Sequence, residues 1–357
     1  MGIRCKHVSD LRKVLIIKPS SLGDVATALP MAPDLKFAAP RVKIDWLVHP
    51  SLTPLVEGHA AINKVILFDR KKLAPWWRSK AATLALRDLL RKLREAQYDA
   101  VIDAQGLFRS GFLTYITNAK IRIGFANARE GATLAYTHKV TLPDNGKKML
   151  AVDRMRALLQ PLGIKTSSRP AEAQIPIQPE AAIFARQALG QSRPVIVIPG
   201  ARWATKRWPV ERYTTIVQQL LREGQQVLLL GSPDEKPLCD QIEKSAPDAI
   251  NLAGQTDLAQ MIALLDRAKL LIANDSGPLH VAVALNKPAV SLYGPTSPDF
   301  VGPYGQMQNV LRHDVPCHPC RRRECDHHSC MNGLTVETVW TKTLTMLNPK
   351  AGAGGAK

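Results

Sequence analysis

The sequence lacks the features that mark membrane-spanning or secreted proteins. It contains no unbroken apolar run of about 20 residues, the length that a helix needs to cross a bilayer. Its first residues, "MGIRCKHVSDLRK", contain no apolar signal-peptide core. We therefore expect a cytoplasmic protein without a membrane-spanning helix.

The fingerprints of two common nucleotide-binding folds are also absent. Neither G-x-G-x-x-G nor G-x-x-x-x-G-K-[ST] occurs, so a dehydrogenase or a P-loop enzyme would lack its motif. Aromatic residues make up only 5%, and no nucleic-acid-binding motif is present. A nucleic-acid-binding protein stays an alternative, because the pI is about 9.8 and "CRRREC" is strongly basic.

The formal net charge of +18 is concentrated in the first half of the chain. Residues 1–170 contain 29 Lys+Arg and 13 Asp+Glu, whereas the remainder contains 19 and 17. Charge kept only for solubility would be spread evenly. We therefore expect the first half to meet an anionic partner: nucleic acid, an anionic membrane face or a phosphorylated substrate.

Short apolar runs alternate with helix-like segments, which is the pattern of β-α-β units with parallel sheets. A chain of 357 residues predicts two cores, and the Pro- and Ser-rich segment 165–180 predicts the linker between them. We predict an α/β protein with domains at 1–170 and 171–347 and a disordered tail at 348–357. Helices are expected over 25–38, 81–95, 211–223 and 258–268.

Four of the six cysteines crowd into "CHPCRRRECDHHSC". In a cytoplasmic chain such a cluster indicates a metal or redox site rather than a disulfide framework. The spacing C-x2-C-x4-C-x4-C offers ligands that tetrahedral zinc accepts, without the usual two-knuckle spacing. Reduced buried thiols, a structural zinc ion, and a disulfide or iron–sulfur site all stay open. The candidate ligands are Cys317, Cys320, Cys325 and Cys330.

A turn containing Asp24, "KPSSLGD", follows the first predicted strand. Ligands of open parallel sheets bind beyond the carboxyl ends of the strands. Asp24 is therefore a candidate general base for a substrate hydroxyl, with Lys18 keeping it ionised. The alternative is that Asp24 or Ser21 only caps the next helix. Because Ser20 and Ser21 already supply cap groups, we interpret the acid as surplus to capping.

Two later strand ends, "NDSGPLH" and "PGARWATKRWP", predict an anion-binding site. In the first, backbone N–H groups at a helix start, a serine hydroxyl and a histidine are expected to face a phosphate. Its alternative is an ordinary N-cap. In the second, two cations are placed to meet a diphosphate, and its alternative is a solvated basic loop. The candidates are Asp275, Ser276, Gly277, His280, Lys206 and Arg207.

Six segments together resemble glycosyltransferase family 9, the ADP-heptose:lipopolysaccharide heptosyltransferases. The resemblance implies a GT-B fold, in which two Rossmann-like domains face each other across a cleft. It also implies an inverting transfer of heptose from ADP-heptose to the lipid A–core precursor of lipopolysaccharide, for which no cofactor is expected to be required. The segments, from about residue 13 to 340, are "IIKPSSLGDVATALP", "YDAVIDAQGLFRSG", "GARWATKRWP", "LAGQTDL", "NDSGPLHVAVAL" and "SLYGPTSP".

The resemblance implies roles for individual residues. Asp24 is the base, and Lys18 lies near the reaction centre. Lys206 and the Asp-Ser-Gly-x-x-His segment meet the donor diphosphate, and Thr256 lies near the adenine. Where type I members can carry paired threonines, this chain has an alanine followed by Arg202. We expect Arg202 to replace the hydroxyl contacts by its charge.

The basic first half is then expected to bind the anionic acceptor at the inner membrane surface. The predicted lipid contact is the helix at 81–95, with Arg87, Arg91, Lys92 and Arg94. Alternatives are a GT-B enzyme with another donor or acceptor, an epimerase, the nucleic-acid-binding protein and an inactive scaffold; the resemblance itself implies no nucleic-acid partner. The acceptor candidates are Ser21, Gly23, Gln105, Arg109, Arg122 and Arg129.

Overall fold

The apolar runs of the sequence form the strands of two parallel sheets. The computed structural model describes residues 8–166 and 170–348, and the chain divides into two units, Met1–Pro176 and Ile177–Lys357. Within the described residues, each unit contains one six-stranded sheet. The central strands are buried throughout, as is usual for a parallel sheet with helices on both faces. The predicted α/β class is confirmed.

The first unit is built from six strands and six helices among its described residues. The strands are β1 Lys13–Ile17, β2 Lys43–Val48, β3 Lys64–Leu67, β4 Ala100–Asp103, β5 Ile121–Phe125 and β6 His138–Val140. The helices are α1 Leu22–Ala28, α2 Met31–Ala38, α3 Arg70–Leu73, α4 Lys80–Glu95, α5 Phe108–Ile116 and α6 Ala151–Ala157. The strand order is β3-β2-β1-β4-β5-β6.

The second unit repeats this plan with two further helices among its described residues. The strands are β7 Val195–Ile198, β8 Val227–Leu229, β9 Ile250–Asn251, β10 Leu270–Asn274, β11 Ala289–Tyr293 and β12 Val310–Arg312. The helices are α7 Pro179–Leu189, α8 Val210–Arg222, α9 Lys236–Ser245, α10 Leu258–Asp266, α11 Gly277–Ala284, α12 Pro298–Val301, α13 Ser329–Asn332 and α14 Val336–Leu347. The strand order is β12-β11-β10-β7-β8-β9.

Both sheets have the Rossmann strand order, which fixes where a ligand is expected to bind. The order reverses between β1 and β4 in the first unit and between β7 and β10 in the second. Ligands of such sheets bind at this switch point, outside the carboxyl ends of the strands. The segments after these four strands contain most of the predicted site residues.

Two predicted boundaries differ from the structure. The helix expected over 25–38 is two helices, α1 and α2, because Pro30 lies between them and has no backbone N–H to bond the carbonyl four residues earlier. Part of the predicted linker packs on the first unit, where His59 Nε2 lies 2.9 Å from the carbonyl oxygen of Ala173. The division therefore falls after Pro176, a few residues beyond the predicted boundary.

Some predictions fall on residues that the structure does not describe. The predicted tail, apart from Asn348, lies outside the described residues, as does Cys5. Among the helices in 8–166 and 170–348, none is long and apolar enough to cross a bilayer.

A buried ion pair joins α2 to α6 in the first unit. Arg156 Nε donates to Asp34 Oδ2 over 2.7 Å, and both side chains are buried. Arg156 Nη2 also donates to the carbonyl of Thr166 over 2.7 Å. Losing one member of a buried pair leaves the other charge uncompensated.

We expect Asp34→Ala to lower the free energy of unfolding by about 3–5 kcal/mol, because the Arg156 guanidinium stays buried without its carboxylate. Chemical denaturation followed by circular dichroism measures the change. The control is Asp88→Ala, which removes an exposed partner of Arg91 and Lys92 and is expected to leave the midpoint nearly unchanged. An equal loss in both variants would contradict the argument from burial.

Candidate active site

A buried amide, Asn274, holds the loop that follows β7. Asn274 is the last residue of β10, and its Nδ2 donates to the carbonyl of Pro199 over 2.8 Å. Its Oδ1 accepts a hydrogen bond from the backbone N–H of Trp208 over 3.1 Å. One side chain thus binds both ends of the "PGARWATKRW" loop, which positions Lys206 beside the end of β10.

The next residue, Asp275, is the centre of a charged cluster. Its Oδ2 accepts hydrogen bonds from Lys206 Nζ at 2.7 Å and from Thr296 Oγ1 at 2.6 Å. His280 Nε2 lies 3.6 Å from Oδ1. Burial raises the pKa of this carboxyl, but the hydrogen bond from His280 and the charge of Lys206 outweigh burial and lower the pKa to about 2. Asp275 is thus a permanent anion that holds three cationic or polar side chains around it.

Ser276 has a buried hydroxyl that makes no hydrogen bond within the described residues. It occupies the N-cap position of α11, but its side chain makes no capping bond, and its Oγ is buried and unpartnered. The capping alternative is therefore wrong for Ser276, and the Asp275 carboxylate binds Lys206 and Thr296 instead. Because a buried hydroxyl without a partner is costly, the Ser276 hydroxyl points to a ligand at this helix N-terminus, beside Gly277.

Lys206 also shares an aromatic ring with a second cation. Its Nζ lies 4.7 Å from the centroid of the Trp203 ring, and Arg323 Cζ lies 5.2 Å from the same centroid. The Lys206 side chain retains 18% exposure, so its ammonium is paired with Asp275 but still reachable. Two positive charges thus lie around one indole at the end of β7.

Arg323 belongs to the cysteine-containing segment 317–330, which packs against the loops after β7 and β11. The carbonyl of Arg322 accepts a hydrogen bond from Thr205 Oγ1 over 2.8 Å. The backbone N–H of Arg321 donates to Pro295 over 2.9 Å, and His318 Nε2 lies 3.1 Å from the carbonyl oxygen of Thr296. The segment therefore supports the Asp275 cluster through backbone contacts.

The four clustered cysteines do not fit a metal site in this arrangement. All four are free thiols, of which Cys317 is exposed and Cys330 buried. Within residues 8–166 and 170–348, no three His, Cys, Asp or Glu side chains are grouped so that they could hold a metal ion. The structural zinc ion, one of the alternatives left open for Cys317, Cys320, Cys325 and Cys330, gains no geometric support from these residues and stays a hypothesis.

The remaining donor candidates are less constrained. Arg202 is exposed, and Thr256 is half-buried two residues before the start of α10. Arg207 donates through Nε to the carbonyl of Ala201 over 2.9 Å, so this cation braces its own loop. Of the two adjacent cations, only Lys206 is bonded to the Asp275 cluster.

In the first unit, Asp24 caps the helix that contains it. Its Oδ2 accepts hydrogen bonds from the backbone N–H of Ser21 at 3.0 Å and from the Ser21 hydroxyl at 2.9 Å. This is the reach-back of a capping-box acid at the third helical position. The interpretation of the acid as surplus to capping is therefore wrong. Asp24 is nevertheless exposed, beside Gly23 at the carboxyl end of β1.

Lys18 is buried at the same strand end, with 4% exposure. Burial lowers the pKa of its ammonium, while the charges of Asp24 and Asp103 oppose that shift and Arg154 adds to it. Among the described residues, no hydrogen bond or ion pair to this ammonium is found. The Lys18 amine thus lies near two carboxylates without being bonded to either.

Asp103 is a buried acid that sequence reasoning did not select. Its Oδ1 accepts hydrogen bonds from the backbone N–H groups of Gln105 and Gly106, both at 2.9 Å. The Tyr136 hydroxyl donates to Oδ2 over 2.6 Å. Burial raises the pKa of Asp103, and these bonds only partly offset it. The sequence signal for Asp103 is that an acidic residue ends the apolar strand β4, which lies at the switch point.

The acceptor candidates separate into two groups. Gln105 has a buried Oε1 with no partner among the described residues, and Arg109 and Arg129 are exposed. The backbone N–H of Arg129 donates to the carbonyl of Gly106 over 3.0 Å, which brings its loop to the end of β4. Arg122 instead donates to the carbonyls of Ala135 and Ala119 and holds backbone in place.

The family of the chain follows from comparison with known proteins. The family model described as "Glycosyltransferase family 9 (heptosyltransferase)" matches residues 86–330, more than half of the chain. The chain belongs to glycosyltransferase family 9. The matched residues include Asp103, Lys206 and the Asp275 cluster, whereas Lys18 and Asp24 lie before them.

Individual heptosyltransferases are similar to nearly the whole chain. Lipopolysaccharide heptosyltransferase 1 of Pseudomonas aeruginosa is 30% identical over 88% of this chain and 88% of its own. Lipopolysaccharide heptosyltransferase 2 of Salmonella typhimurium is 28% identical over 94% and 99%. A heptosyltransferase of E. coli, solved with ADP-2-deoxy-2-fluoro heptose, has a TM-score of 0.74 at 27% identity, covering 93% of this chain and 99% of that one.

These comparisons confirm the predicted family, the enzyme class and the GT-B fold with two Rossmann-like units. E. coli ADP-heptose lps heptosyltransferase II agrees, with a TM-score of 0.75 at 27% identity over 95% of this chain and 99% of that one. Family membership favours a heptose-transferring enzyme over the nucleic-acid-binding and scaffold alternatives. The chain is similar to type 1 and type 2 enzymes at nearly equal identity.

We expect Asp275→Asn to lower the free energy of unfolding by about 2–3 kcal/mol at neutral pH. The folded pKa of about 2 lies below the unfolded value of about 3.9. The carboxylate therefore stabilises the fold above about pH 4, and this contribution is lost as the pH falls toward the folded pKa. Urea titrations from neutral pH to about pH 3 measure the decreasing difference from the unsubstituted chain.

The control for this prediction is Asp266→Asn, because Asp266 forms a half-exposed ion pair with Lys287 and such pairs contribute little. If the two variants showed the same pH-dependent loss, the Asp275 cluster would not be its source.

Proposed function

We propose that this enzyme transfers heptose from ADP-heptose to an acceptor hydroxyl in the inner core of lipopolysaccharide, with inversion at the anomeric carbon. The named relatives are lipopolysaccharide heptosyltransferases, and one similar structure was solved with an ADP-heptose analogue. The observation that carries the proposal is the unpartnered, buried Ser276 hydroxyl beside the Asp275–Lys206 pair. It supports an anion-binding group at the switch point of the second unit.

The second unit binds the donor in this proposal. The N-terminus of α11 and the Ser276 hydroxyl donate hydrogen bonds to the diphosphate, and the Lys206 ammonium supplies positive charge. Asp275 fixes Lys206 and His280 rather than touching phosphate, since two anions would repel. Arg202 and Thr256 stand as further donor contacts. Charge that develops on the departing ADP is stabilised by groups already in place, so the step requires no cofactor.

The first unit supplies the base. Asp24 accepts the proton of the acceptor hydroxyl while that oxygen attacks the anomeric carbon and the bond to ADP breaks. An exposed carboxylate at a strand end is accessible to a substrate hydroxyl, and its hydrogen bonds from Ser21 fix its orientation. The Lys18 amine lies near Asp24, and in its protonated form it favours the ionised form of Asp24.

The acceptor binds to the basic first unit and is reached at the inner face of the cytoplasmic membrane. Arg109 and Arg129 are the exposed cations at the end of β4, and the Gln105 amide oxygen is free to accept a hydrogen bond there. Guanidinium groups suit the phosphates and carboxylates of such an acceptor. Arg122 donates hydrogen bonds to backbone carbonyls, so in this proposal it stabilises the fold near the acceptor rather than binding the acceptor.

We expect Asp24→Asn to lower the turnover number by about 10²–10⁴, the usual contribution of a general base, while ADP binding is unchanged. The amide oxygen can still accept from the Ser21 N–H, so the helix cap is largely kept. Asp88→Asn is the matched control, because it makes the same acid-to-amide change at an exposed position on α4 that has no part in the proposed site. Transfer assays measure the effect, and near-normal turnover in Asp24→Asn would disprove the role.

We expect Ser276→Ala to weaken ADP binding by about tenfold or more, the value of one hydrogen bond to a charged group. Its unfolding midpoint should not change, because its hydroxyl bonds no described residue. Thr296→Val is the comparison, since that hydroxyl bonds Asp275 and its loss should lower stability. Calorimetric titration with ADP, ADP-heptose, a UDP-sugar and NAD measures affinity. Preference for the uridine nucleotide would overturn the proposed donor.

A further inference from the structure

Exposed apolar side chains are concentrated in the first unit. Of the ten large hydrophobic side chains that are exposed among the described residues, nine lie there and only Ile183 lies in the second unit. Two of the nine are adjacent, with Trp76 51% and Trp77 63% exposed. Exposed tryptophans on a soluble surface commonly mark a binding site.

These tryptophans are held outward by an ordered turn between α3 and α4. The backbone N–H groups of Arg78 and Ser79 donate to the carbonyl of Pro75, both over 2.9 Å. The Thr83 hydroxyl donates to the carbonyl of Trp76, which ties the turn to the first turn of α4. The two indoles meet edge to face with centroids 5.9 Å apart. Their exposure is therefore built into the fold.

The same turn is strongly basic. Residues 70–80, "RKKLAPWWRSK", include five basic residues and no acidic one. All five are exposed, and none forms an ion pair with another described residue. On α4, by contrast, Asp88 pairs with Arg91 at 3.0 Å and with Lys92 at 2.6 Å, which neutralises part of that helix. The basic residues of the turn are Arg70, Lys71, Lys72, Arg78 and Lys80.

We propose that residues 70–80, the tryptophan turn, dock the enzyme on the anionic surface of a lipid bilayer. Indoles favour the boundary between headgroups and acyl chains, and the surrounding cations are attracted to anionic headgroups. This surface replaces the helix at 81–95 as the main lipid contact. The inference rests on the proposed function only in that the acceptor lies on a membrane, and vesicle binding tests it without any transfer reaction.

The test is co-sedimentation of the full chain with vesicles of equal parts phosphatidylglycerol and phosphatidylcholine, and with vesicles of phosphatidylcholine alone. We expect Lys71→Ala/Lys72→Ala to bind the anionic vesicles about thirtyfold more weakly, from about a tenfold change per 1.4 kcal/mol. Trp76→Ala/Trp77→Ala is expected to weaken binding by about tenfold or more. Both effects should fall at high salt, the lysine effect more strongly.

Two matched controls isolate the turn. Ile183→Ala removes an exposed apolar side chain of the second unit, and Arg91→Ala/Lys92→Ala removes two cations of α4; both are expected to bind like the unsubstituted chain. Loss of binding in the α4 variant with retention in the tryptophan variant would overturn the proposal, as would no preference for anionic vesicles. ADP titration of each variant, with transfer to a deacylated water-soluble acceptor, reports separately on the proposed function.

Discussion

The bond between Asp275 and Lys206 is the interaction on which the proposed donor site of the second unit depends. A carboxylate this deeply buried would be costly alone, so its lysine partner, the Thr296 hydroxyl and His280 must all be in place. Lys206 lies in the segment after β7, Thr296 in the segment after β11, and His280 in α11. One buried charge thus ties three segments together at the switch point and leaves the Ser276 hydroxyl as the group without a partner.

The first unit uses the same topology for a different chemistry. Its strand ends at the switch point present carboxylates, Asp24 and Asp103, where the second unit presents hydrogen-bond donors and cations. Asp103 is buried under bonds from Tyr136 and two backbone N–H groups, whereas Asp24 is exposed and capped by Ser21. Of the two, only Asp24 has the exposure that the proposed role of a base requires. Because the two units share one strand order, the chemical difference between them comes from the side chains that follow their strands.

Much of this arrangement could be predicted from the sequence, because short apolar strands and the turns after them are local signals. The segments around Asp24, Lys206 and Asp275 were found in this way. The environment of Asp103 could not be predicted in this way, because it depends on Tyr136, which is distant in sequence. The Tyr136 ring fits there only because residue 124 is glycine: a Cβ at that position would lie 2.2 Å from the ring. The prediction that Asp24 takes no part in capping was wrong. Which of the neighbouring groups Ser20, Ser21 and Asp24 makes the capping bonds depends on side-chain conformation, which the sequence does not specify. The break at Pro30 is a local signal in the sequence, but the apolar periodicity continues across it and predicts a single helix.

The amide of Asn274 has a consequence for how the enzyme could diverge. It binds the carbonyl of Pro199 and the backbone N–H of Trp208. The distance between the two ends of the 199–208 loop is therefore fixed by one side chain. Inserting or deleting a residue between Pro199 and Trp208 would break one of the two bonds and leave a buried amide group unsatisfied. Exchange of side chains at constant length carries no such cost. Under the proposed function, a new donor preference at this loop could therefore arise by substitution but not by a change of loop length.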